Sequence, residues 1–192
     1  MYSNVIFEQA LSEEDCANII EESENILDLQ DSSVGHTDKV MNDIRKSKNG
    51  FVSAHNPEHI SLFSTLQSRI WTFINLANRT TFGVDVTYLD EVQYTVYDTG
   101  DYYNWHSDLM VETQNAFHRK LSMTIQLSDD TEYEGGDFEL HCLDEENQLP
   151  KDIIRKKGSI IIFPSFMVHR ITPVTKGTRK SLVAWVEGRK WK

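Results

Sequence analysis

The chain is poor in the residues that mark disordered, fibrous and disulfide-stapled proteins. Its 192 residues include four prolines, nine glycines and two cysteines, while 39% are hydrophobic and 10% aromatic. This composition excludes disordered and collagen-like chains and predicts a folded protein that is large enough to bury a core. Because no repeat or linker rich in proline and serine divides the sequence, we expect a single domain over residues 1–192.

Long hydrophobic runs are also lacking. No apolar stretch approaches the roughly 20 residues that a membrane-spanning helix needs. The segment Met1–Gln9 has neither the basic region nor the apolar region of a secretory leader. Cys16 and Cys142 lie far apart and lack zinc-type spacing, which fits a reducing compartment. We therefore expect a soluble, cytoplasmic protein with no membrane partner.

Positive charge is in short supply. The chain has 30 acidic and 19 basic residues, which gives a formal net charge of -11. Such a surface repels phosphate backbones unless basic residues are gathered on one face. We expect no nucleic-acid partner, and this acidity also argues against a demethylase that acts on nucleic acid.

The first part of the chain has the spacing of two helices. After Ser12, apolar residues recur on one helical face and acidic residues on the other, and Ser12 with Asp15 forms a relaxed capping box. Asn56 followed by Pro57 predicts a second helix start, and apolar residues at helical spacing follow it. We interpret residues 1–83 as a helical support region.

From residue 84 onward the hydrophobic period drops to two. Short β-rich runs separated by turn residues begin at Val92, Lys120, Phe138, Ser159, His169 and Ser181. Many short strands at this spacing predict a sandwich or barrel, with the two preceding helices covering one face. We place the β core at residues 84–188.

One pair of residues could offer a nitrogen and a carboxylate to a metal. On a strand, His106 and Asp108 would point to the same side with one residue between them. This spacing alone is a weak signal, because His36 and Asp38 repeat it in a polar stretch with no strand pattern. We interpret the second pair as a chance match.

A non-haem iron(II) site needs two imidazoles and one carboxylate, with the other positions left open. His169 is the candidate for the second imidazole, since an adjoining strand could bring it beside His106. Arg179 and Ser181 share one strand face and suit a carboxylate that is held bidentately. Taken singly, these residues could instead be structural histidines and a surface ion-pair arginine; taken as an ordered set, they favour the metal site.

From Gln93 to Gly188, about half of the chain, the sequence resembles the iron(II)- and 2-oxoglutarate-dependent dioxygenases of the prolyl 4-hydroxylase type, including the bacterial PKHD-type hydroxylases. The matching elements are Gln93-x-x-x-Tyr97-x-x-Gly100-x-x-Tyr103-x-x-His106-x-Asp108, Arg119-x-Leu121-Ser122, Tyr133-Glu134-Gly135-Gly136-Asp137-Phe138, Gly158-Ser159-Ile160, Phe163-Pro164-Ser165, His169, Pro173-Val174, Gly177-x-Arg179-x-Ser181 and Trp185. Both their order and their spacing agree with the family.

The resemblance implies a mostly β protein with flanking helices, built as a double-stranded β-helix, or jelly roll. It implies iron ligands His106, Asp108 and His169, and a pairing of Arg179 with the distal carboxylate of 2-oxoglutarate. The residues that it implies along the co-substrate pocket are Tyr97, Tyr103, Thr124, Gln126 and Ser181, with apolar walls from Phe138, Ile171 and Trp185. Gln126 departs from related hydroxylases, which can place a tyrosine there.

The activity implied by the resemblance is hydroxylation of an unactivated C–H bond, with O2 consumed and succinate and CO2 released. Ascorbate is a candidate further cofactor. The expected substrate is a prolyl residue in a peptide or protein, and the alternatives are a free amino acid or other small metabolite. A non-catalytic barrel that serves as a binding module is the alternative from a different class. The sequence leaves the oligomeric state open.

The polar stretch Asp31–Gly50 has no periodicity and is predicted to be a loop. We consider two roles for it. With Arg45 and Lys48 it could form a flap that contacts substrate, or it could be a solvated connector.

Overall fold

The computed structural model describes residues 4–32, 44–109, 117–141 and 149–191. Its helices are α1 (Glu13–Ile26), α2 (Ile60–Ala77) and the short α3 (Lys151–Ile154). Its strands are β1 (Val5–Phe7), β2 (Gln30–Asp31), β3 (Arg45–Lys46), β4 (Lys48–Ser53), β5 (Glu91–Tyr97), β6 (Tyr102–His106), β7 (Phe117–Gln126), β8 (Tyr133–Gly135), β9 (Phe138–Leu140), β10 (Ile160–Pro164), β11 (His169–Ile171), β12 (Val174–Gly177) and β13 (Arg179–Arg189).

The two long helices begin where the sequence predicts. Ser12 Oγ accepts the backbone N–H of Asp15 at 3.1 Å, and the Asp15 carboxylate accepts the N–H of Ser12 at 3.2 Å, which completes the capping box. Asn56 caps a 3₁₀ turn that leads into α2. Arg69 on α2 donates to Asp15 at 2.6 Å and joins the two helices. In the described part of the chain, no helix is both long and apolar enough to cross a membrane.

The strands form antiparallel sheets. The major sheet has the order β1-β10-β7-β13-β5-β4-β2, the minor sheet has the order β3-β6-β11-β9, and β12 pairs with β8. Chain neighbours such as β5 and β6 lie in different sheets, so the chain winds back and forth between two layers. This is the predicted jelly roll, and the mostly β fold class is confirmed.

The faces of the major sheet have different partners. On β7, Leu121, Met123 and Ile125 belong to the core that the helices complete. The alternate residues Ser122 and Thr124 are buried as well, although they are polar. Because side chains alternate along a strand, these polar residues face the space between the sheets. The jelly roll therefore encloses a buried polar surface.

The prediction of a loop over residues 31–50 is wrong at both described ends. β2, β3 and β4 lie there, and β4 pairs with β5 from Lys48 opposite Val96 to Ser53 opposite Glu91. The alternation is missing from the sequence because these strands lie near sheet edges, where polar residues are exposed. The described residues of the region 1–83 thus form the four strands β1 to β4 as well as the helices α1 and α2. His36, Asp38 and the middle of the proposed flap lie outside the described residues.

Gly158 fixes the approach of the N-terminal segment to the major sheet. Its φ is +81°, and a Cβ there would collide with the carbonyl oxygen of Leu11. The Gly158 carbonyl also accepts the N–H of Leu11 at 3.1 Å. A side chain at residue 158 would therefore disturb both the backbone conformation and this contact.

We expect Gly158→Ala to lower the free energy of unfolding by more than the same change at Gly83. Gly83 also has a positive φ, +63°, but a Cβ there meets nothing within 4 Å, so only the conformational cost of about 1–2 kcal/mol remains. Urea unfolding of both variants measures the difference. Equal losses would show that the contact with Leu11 does not constrain residue 158.

Candidate active site

The two histidines of the predicted metal site lie directly opposite each other. His106 ends β6, His169 begins β11, and the antiparallel register pairs them. Their ring centroids are 4.1 Å apart. The register shifts between His169 and Ile171, so the pairing is irregular just beyond the two rings. Residues 63 positions apart thus become neighbours through a single strand pairing.

The sequence suggests that strand alternation places Asp108 beside His106, but the structure positions Asp108 differently. β6 ends at His106, so the position of Asp108 does not follow from strand alternation. Instead, the Asp108 N–H donates to the carbonyl of Ser165 at 3.0 Å, and the Ser122 hydroxyl donates to Asp108 Oδ2 at 2.7 Å. Asp108 Oδ1 lies 3.8 Å from His106 Nε2, and Oδ2 lies 3.6 Å from His169 Nε2.

Backbone carbonyls orient both rings. His106 Nδ1 lies 2.7 Å from the carbonyl oxygen of Asn104, and His169 Nδ1 lies 3.0 Å from that of Met167. A carbonyl accepts only, so each neutral ring carries its proton on Nδ1 and has a free lone pair on Nε2. Such contacts also fix the tautomer of metal-ligating histidines in general.

The protonation states of the cluster suit metal binding. Burial, followed by the neighbouring His169, lowers the pKa of His106 well below its usual value, so its ring is neutral at pH 7. Burial alone would raise the pKa of the Asp108 carboxyl. The two adjacent imidazoles and the Ser122 hydroxyl outweigh burial and hold that pKa below its usual value. One carboxylate and two imidazoles, with ligand atoms all within 4.8 Å of one another, form a set that could hold a divalent metal.

The cluster opens into a cavity of about 630 Å³ between the sheets. Arg179, at the start of β13, lines it and is only 3% exposed. Its Nη1 donates to Ser181 Oγ at 3.2 Å, and its guanidinium carbon lies 5.6 Å from the centre of the Tyr97 ring. The cavity therefore contains both a potential metal site and a buried cation.

Most of the predicted pocket residues line this cavity. They are Tyr97, Tyr103, Thr124, Arg179 and Ser181, together with the predicted apolar walls Phe138, Ile171 and Trp185. The Tyr103 ring stacks on His106 with a centroid separation of 3.4 Å. Gln126 is buried but is not among the lining residues, and its amide donates to the carbonyl of Ser128 at 3.1 Å.

Three charged residues that were not predicted as site residues from the sequence also line the cavity. Arg119 lies over the Trp185 ring at 3.9 Å, and Glu91 and Glu187 line the same cavity. Burial raises the pKa of each of these two carboxyls. Arg119 belongs to one of the matched motifs, so the sequence could have indicated it as a site residue. Nothing in the sequence distinguishes Glu91 and Glu187, because acidic residues are common throughout the chain.

Residues 92–187 match the family model of the 2OG-Fe(II) oxygenase superfamily. The match covers half of the chain and includes all three residues of the cluster. The chain belongs to this superfamily. The family predicted from the sequence is thereby confirmed, and membership implies Fe(II) as the metal and 2-oxoglutarate and O2 as the co-substrates of the family's chemistry.

Curated relatives of this chain include PKHD-type hydroxylases. One from Gloeothece citriformis is 34% identical over 91 residues, which are 47% of this chain and 40% of the relative. Another, from Synechococcus sp. strain CC9311, is 43% identical over 67 residues, which are 35% of this chain and 29% of the relative. The matched segment thus spans two fifths or less of the length of these relatives.

Solved structures of similar fold include prolyl hydroxylases. A Pseudomonas putida prolyl-4-hydroxylase has a TM-score of 0.71 at 15% identity, with 99% of this chain and 95% of that chain covered. A Trichoplax adhaerens prolyl hydroxylase, in complex with a peptide fragment of the hypoxia inducible factor oxygen degradation domain, has a TM-score of 0.74 at 16% identity, with 97% and 84% covered. At these identities the likeness shows the oxygenase fold.

We expect Ser122→Ala to weaken divalent-metal binding by this protein about tenfold or more, the loss typical when a hydrogen bond that orients a ligand is removed. The substitution removes the donor to Asp108 and leaves the helix-facing core of β7 intact. Titration with Mn²⁺, followed by isothermal calorimetry, measures the change. Ser64→Ala, on the exposed side of α2, is the control. Unchanged affinity at Ser122→Ala would show that Asp108 does not need this hydroxyl.

Proposed function

We propose that this protein is an Fe(II)- and 2-oxoglutarate-dependent dioxygenase that hydroxylates an unactivated C–H bond of a prolyl residue in a peptide or protein. One observation carries the proposal. The ligand atoms of His106, Asp108 and His169 converge at a cavity that also contains the buried guanidinium of Arg179. The expected products from the co-substrate are succinate and CO2, and ascorbate stays a predicted further cofactor.

In this proposal His106, Asp108 and His169 hold Fe(II). The donor set fits this ion, because two imidazoles and a carboxylate are the ligands of non-haem Fe(II) oxygenases and leave positions open. The Nδ1 contacts to backbone carbonyls support it further, since they leave Nε2 of each ring available as a ligand atom. When bound, the iron supplies the oxidative chemistry with O2 and 2-oxoglutarate.

Arg179 binds the distal carboxylate of 2-oxoglutarate in this proposal. Its guanidinium is buried, and among the described residues no carboxylate lies within 4 Å of it. A planar fork of donors in a partly dry cavity matches a carboxylate bidentately. Ser181 and Tyr97 hold the guanidinium in place, while Thr124 and Tyr103 line the same cavity.

The remaining task of the chain is to orient the reactants and to exclude water. Phe138 and Phe163 pack against the His169 ring with centroid distances of 5.6 and 4.8 Å. These rings keep solvent from one side of the proposed metal site. A fixed co-substrate and a fixed metal then restrict which C–H bond of a bound substrate can react, which is a positioning effect.

A prolyl substrate is supported by the names of similar proteins, among them the Pseudomonas putida prolyl-4-hydroxylase and the collagen prolyl hydroxylase of Paramecium Bursaria Chlorella virus-1. The Trichoplax adhaerens enzyme was solved with a peptide, which supports a peptide or protein substrate. A free amino acid or other small metabolite is the alternative substrate, and a non-catalytic binding module is the alternative function.

Anaerobic addition of Fe(II) and 2-oxoglutarate tests the proposed function. We expect a visible metal-to-ligand charge-transfer band, followed by release of succinate when air is admitted. If neither the band nor succinate is seen, the protein is a binding module and not an oxygenase.

We expect Arg179→Ala to raise the 2-oxoglutarate concentration needed for half-maximal turnover about 10- to 100-fold, since a charge-assisted hydrogen bond contributes about 1.5–3 kcal/mol. Metal affinity should stay the same, because Arg179 is not a proposed ligand. Succinate release at varied co-substrate, together with Mn²⁺ titration, separates the two effects. Normal turnover at low 2-oxoglutarate would contradict the role of Arg179.

We expect His106→Ala and Asp108→Ala each to abolish iron-dependent turnover while the fold persists, because each removes one proposed ligand. Circular dichroism verifies the fold, and succinate release measures turnover. His36→Ala is the matched control, since it has the same spacing to an aspartate and should leave turnover unchanged. Full activity in Asp108→Ala would mean that the metal is held elsewhere.

A further inference from the structure

Trp185, in the wall of the active-site cavity, has a buried hydrogen-bond donor without a partner. Its Nε1 atom is shielded from solvent, and no acceptor among the described residues completes a hydrogen bond with it. Buried donors in proteins are nearly always paired, because an unpaired N–H loses its bonds to water without replacement. The family resemblance implies only an apolar wall at Trp185, and a wall needs no N–H. The indole nitrogen therefore requires another explanation.

Strand pairing places Trp185 beside the side chain that holds Asp108. In the antiparallel register of β13 and β7, Trp185 lies directly opposite Ser122. Side chains at directly opposite positions share one face of a sheet, with Cβ atoms about 5 Å apart. Ser122 Oγ donates to Asp108 Oδ2 at 2.7 Å. The indole and the serine hydroxyl are therefore neighbours on the face of the sheet that meets Asp108.

The indole is held in place and lies within electrostatic reach of Asp108. The Arg119 guanidinium carbon is 3.9 Å from the centre of the Trp185 ring, a cation–π contact that restricts the ring. Burial raises the pKa of the Asp108 carboxyl, but the two imidazoles, the Ser122 hydroxyl and the indole N–H of Trp185 together lower it. The N–H thus acts on the carboxylate, although it falls short of hydrogen-bond geometry.

A bound co-substrate or substrate is a poorer partner for this donor than Asp108. Either molecule would occupy the cavity, whereas Nε1 itself has almost no surface that solvent in the cavity can reach. The carboxylate of an aspartate rotates easily, because its χ2 torsion is broad. A small rotation of the Asp108 carboxylate can therefore complete the hydrogen bond while the indole stays in place.

We propose that Trp185 is a positioning residue of the metal site and that its Nε1–H donates to the Asp108 carboxylate when this carboxylate binds the ion. This inference rests on the proposed function, in which Asp108 is a metal ligand. Ser122 and Trp185 then hold the carboxylate with two donors from neighbouring strands. Held in this way, the carboxylate presents its remaining lone pairs to the ion in one orientation.

We expect Trp185→Phe to weaken Mn²⁺ binding about tenfold, as when a hydrogen bond that orients a metal ligand is lost. Phenylalanine keeps an aromatic wall and a ring for Arg119 but has no N–H. Isothermal calorimetry of the full chain measures the affinity, and circular dichroism verifies the fold. Trp71→Phe is the matched control, because Trp71 packs against the helix-side core. Its affinity for Mn²⁺ should stay within about twofold of that of the natural chain, since distant sites act independently.

Nuclear magnetic resonance supplies a readout that a purely structural role of Trp185 would not change. The chain has four tryptophans, so the ¹⁵N-labelled protein gives four indole N–H signals. The signal that disappears in Trp185→Phe belongs to Trp185. If that variant does not fold, phenylalanine variants of the other three tryptophans assign the signal by elimination.

We expect Zn²⁺, a diamagnetic ion that imidazoles and carboxylates also bind, to move the Trp185 signal downfield and to slow its exchange with D2O. Both changes report a stronger hydrogen bond at Nε1. The Trp71 signal should not move, because that ring lies on the helix side of the sheet.

Several results would overturn the inference. They are an unchanged affinity for Mn²⁺ in Trp185→Phe, a Trp185 signal that Zn²⁺ does not move, and an equal loss of affinity in Trp71→Phe. Weaker binding of 2-oxoglutarate at unchanged metal affinity would assign the donor to the co-substrate and would also overturn it.

These failures are distinguishable from failure of the proposed function. If the natural chain binds neither Mn²⁺ nor Zn²⁺, the metal site itself is refuted, and the role of Trp185 with it. If the natural chain binds both ions, shows the charge-transfer band and releases succinate, while Trp185→Phe binds Mn²⁺ equally well, only the role of Trp185 is refuted.

Discussion

The active site depends on the antiparallel pairing of β6 with β11. This pairing places His106 directly opposite His169, and the backbone carbonyls two residues before each histidine orient the rings. Asp108 joins them because Ser165 and Ser122 hold the segment that follows β6. A slip of one residue between the strands would turn one ring to the opposite face of the sheet. The geometry of the cluster is thus a consequence of strand register.

The jelly roll makes such a site possible because it buries both faces of the major sheet. One face packs against α1 and α2 in the larger of two hydrophobic clusters, which stabilises the sheet from that side. The other face can then present Thr124, Arg179 and Ser181 to an enclosed cavity, where charges and hydrogen bonds act in a drier environment than at the surface. On the same strands, one face packs into the core with the helices and the other face lines the cavity.

The sequence was informative wherever a local rule determines the structure. The capping box at Ser12 and the period-two pattern around Leu121 lead directly to α1 and β7. His106 and His169 could be matched because both flank strand patterns. Features that depend on distant contacts could not be predicted. β2 to β4 lie at or next to the edges of their sheets, Asp108 is held by hydrogen bonds with other segments, and Arg45 is buried by residues distant in the sequence.

A crystal structure of the protein with Mn²⁺, a redox-stable substitute for Fe(II), would locate the bound ion by anomalous scattering. We expect one strong anomalous peak at bonding distance from Nε2 of both His106 and His169 and from a carboxylate oxygen of Asp108. A peak at another position, or an ion bound by only one of these three residues, would contradict it.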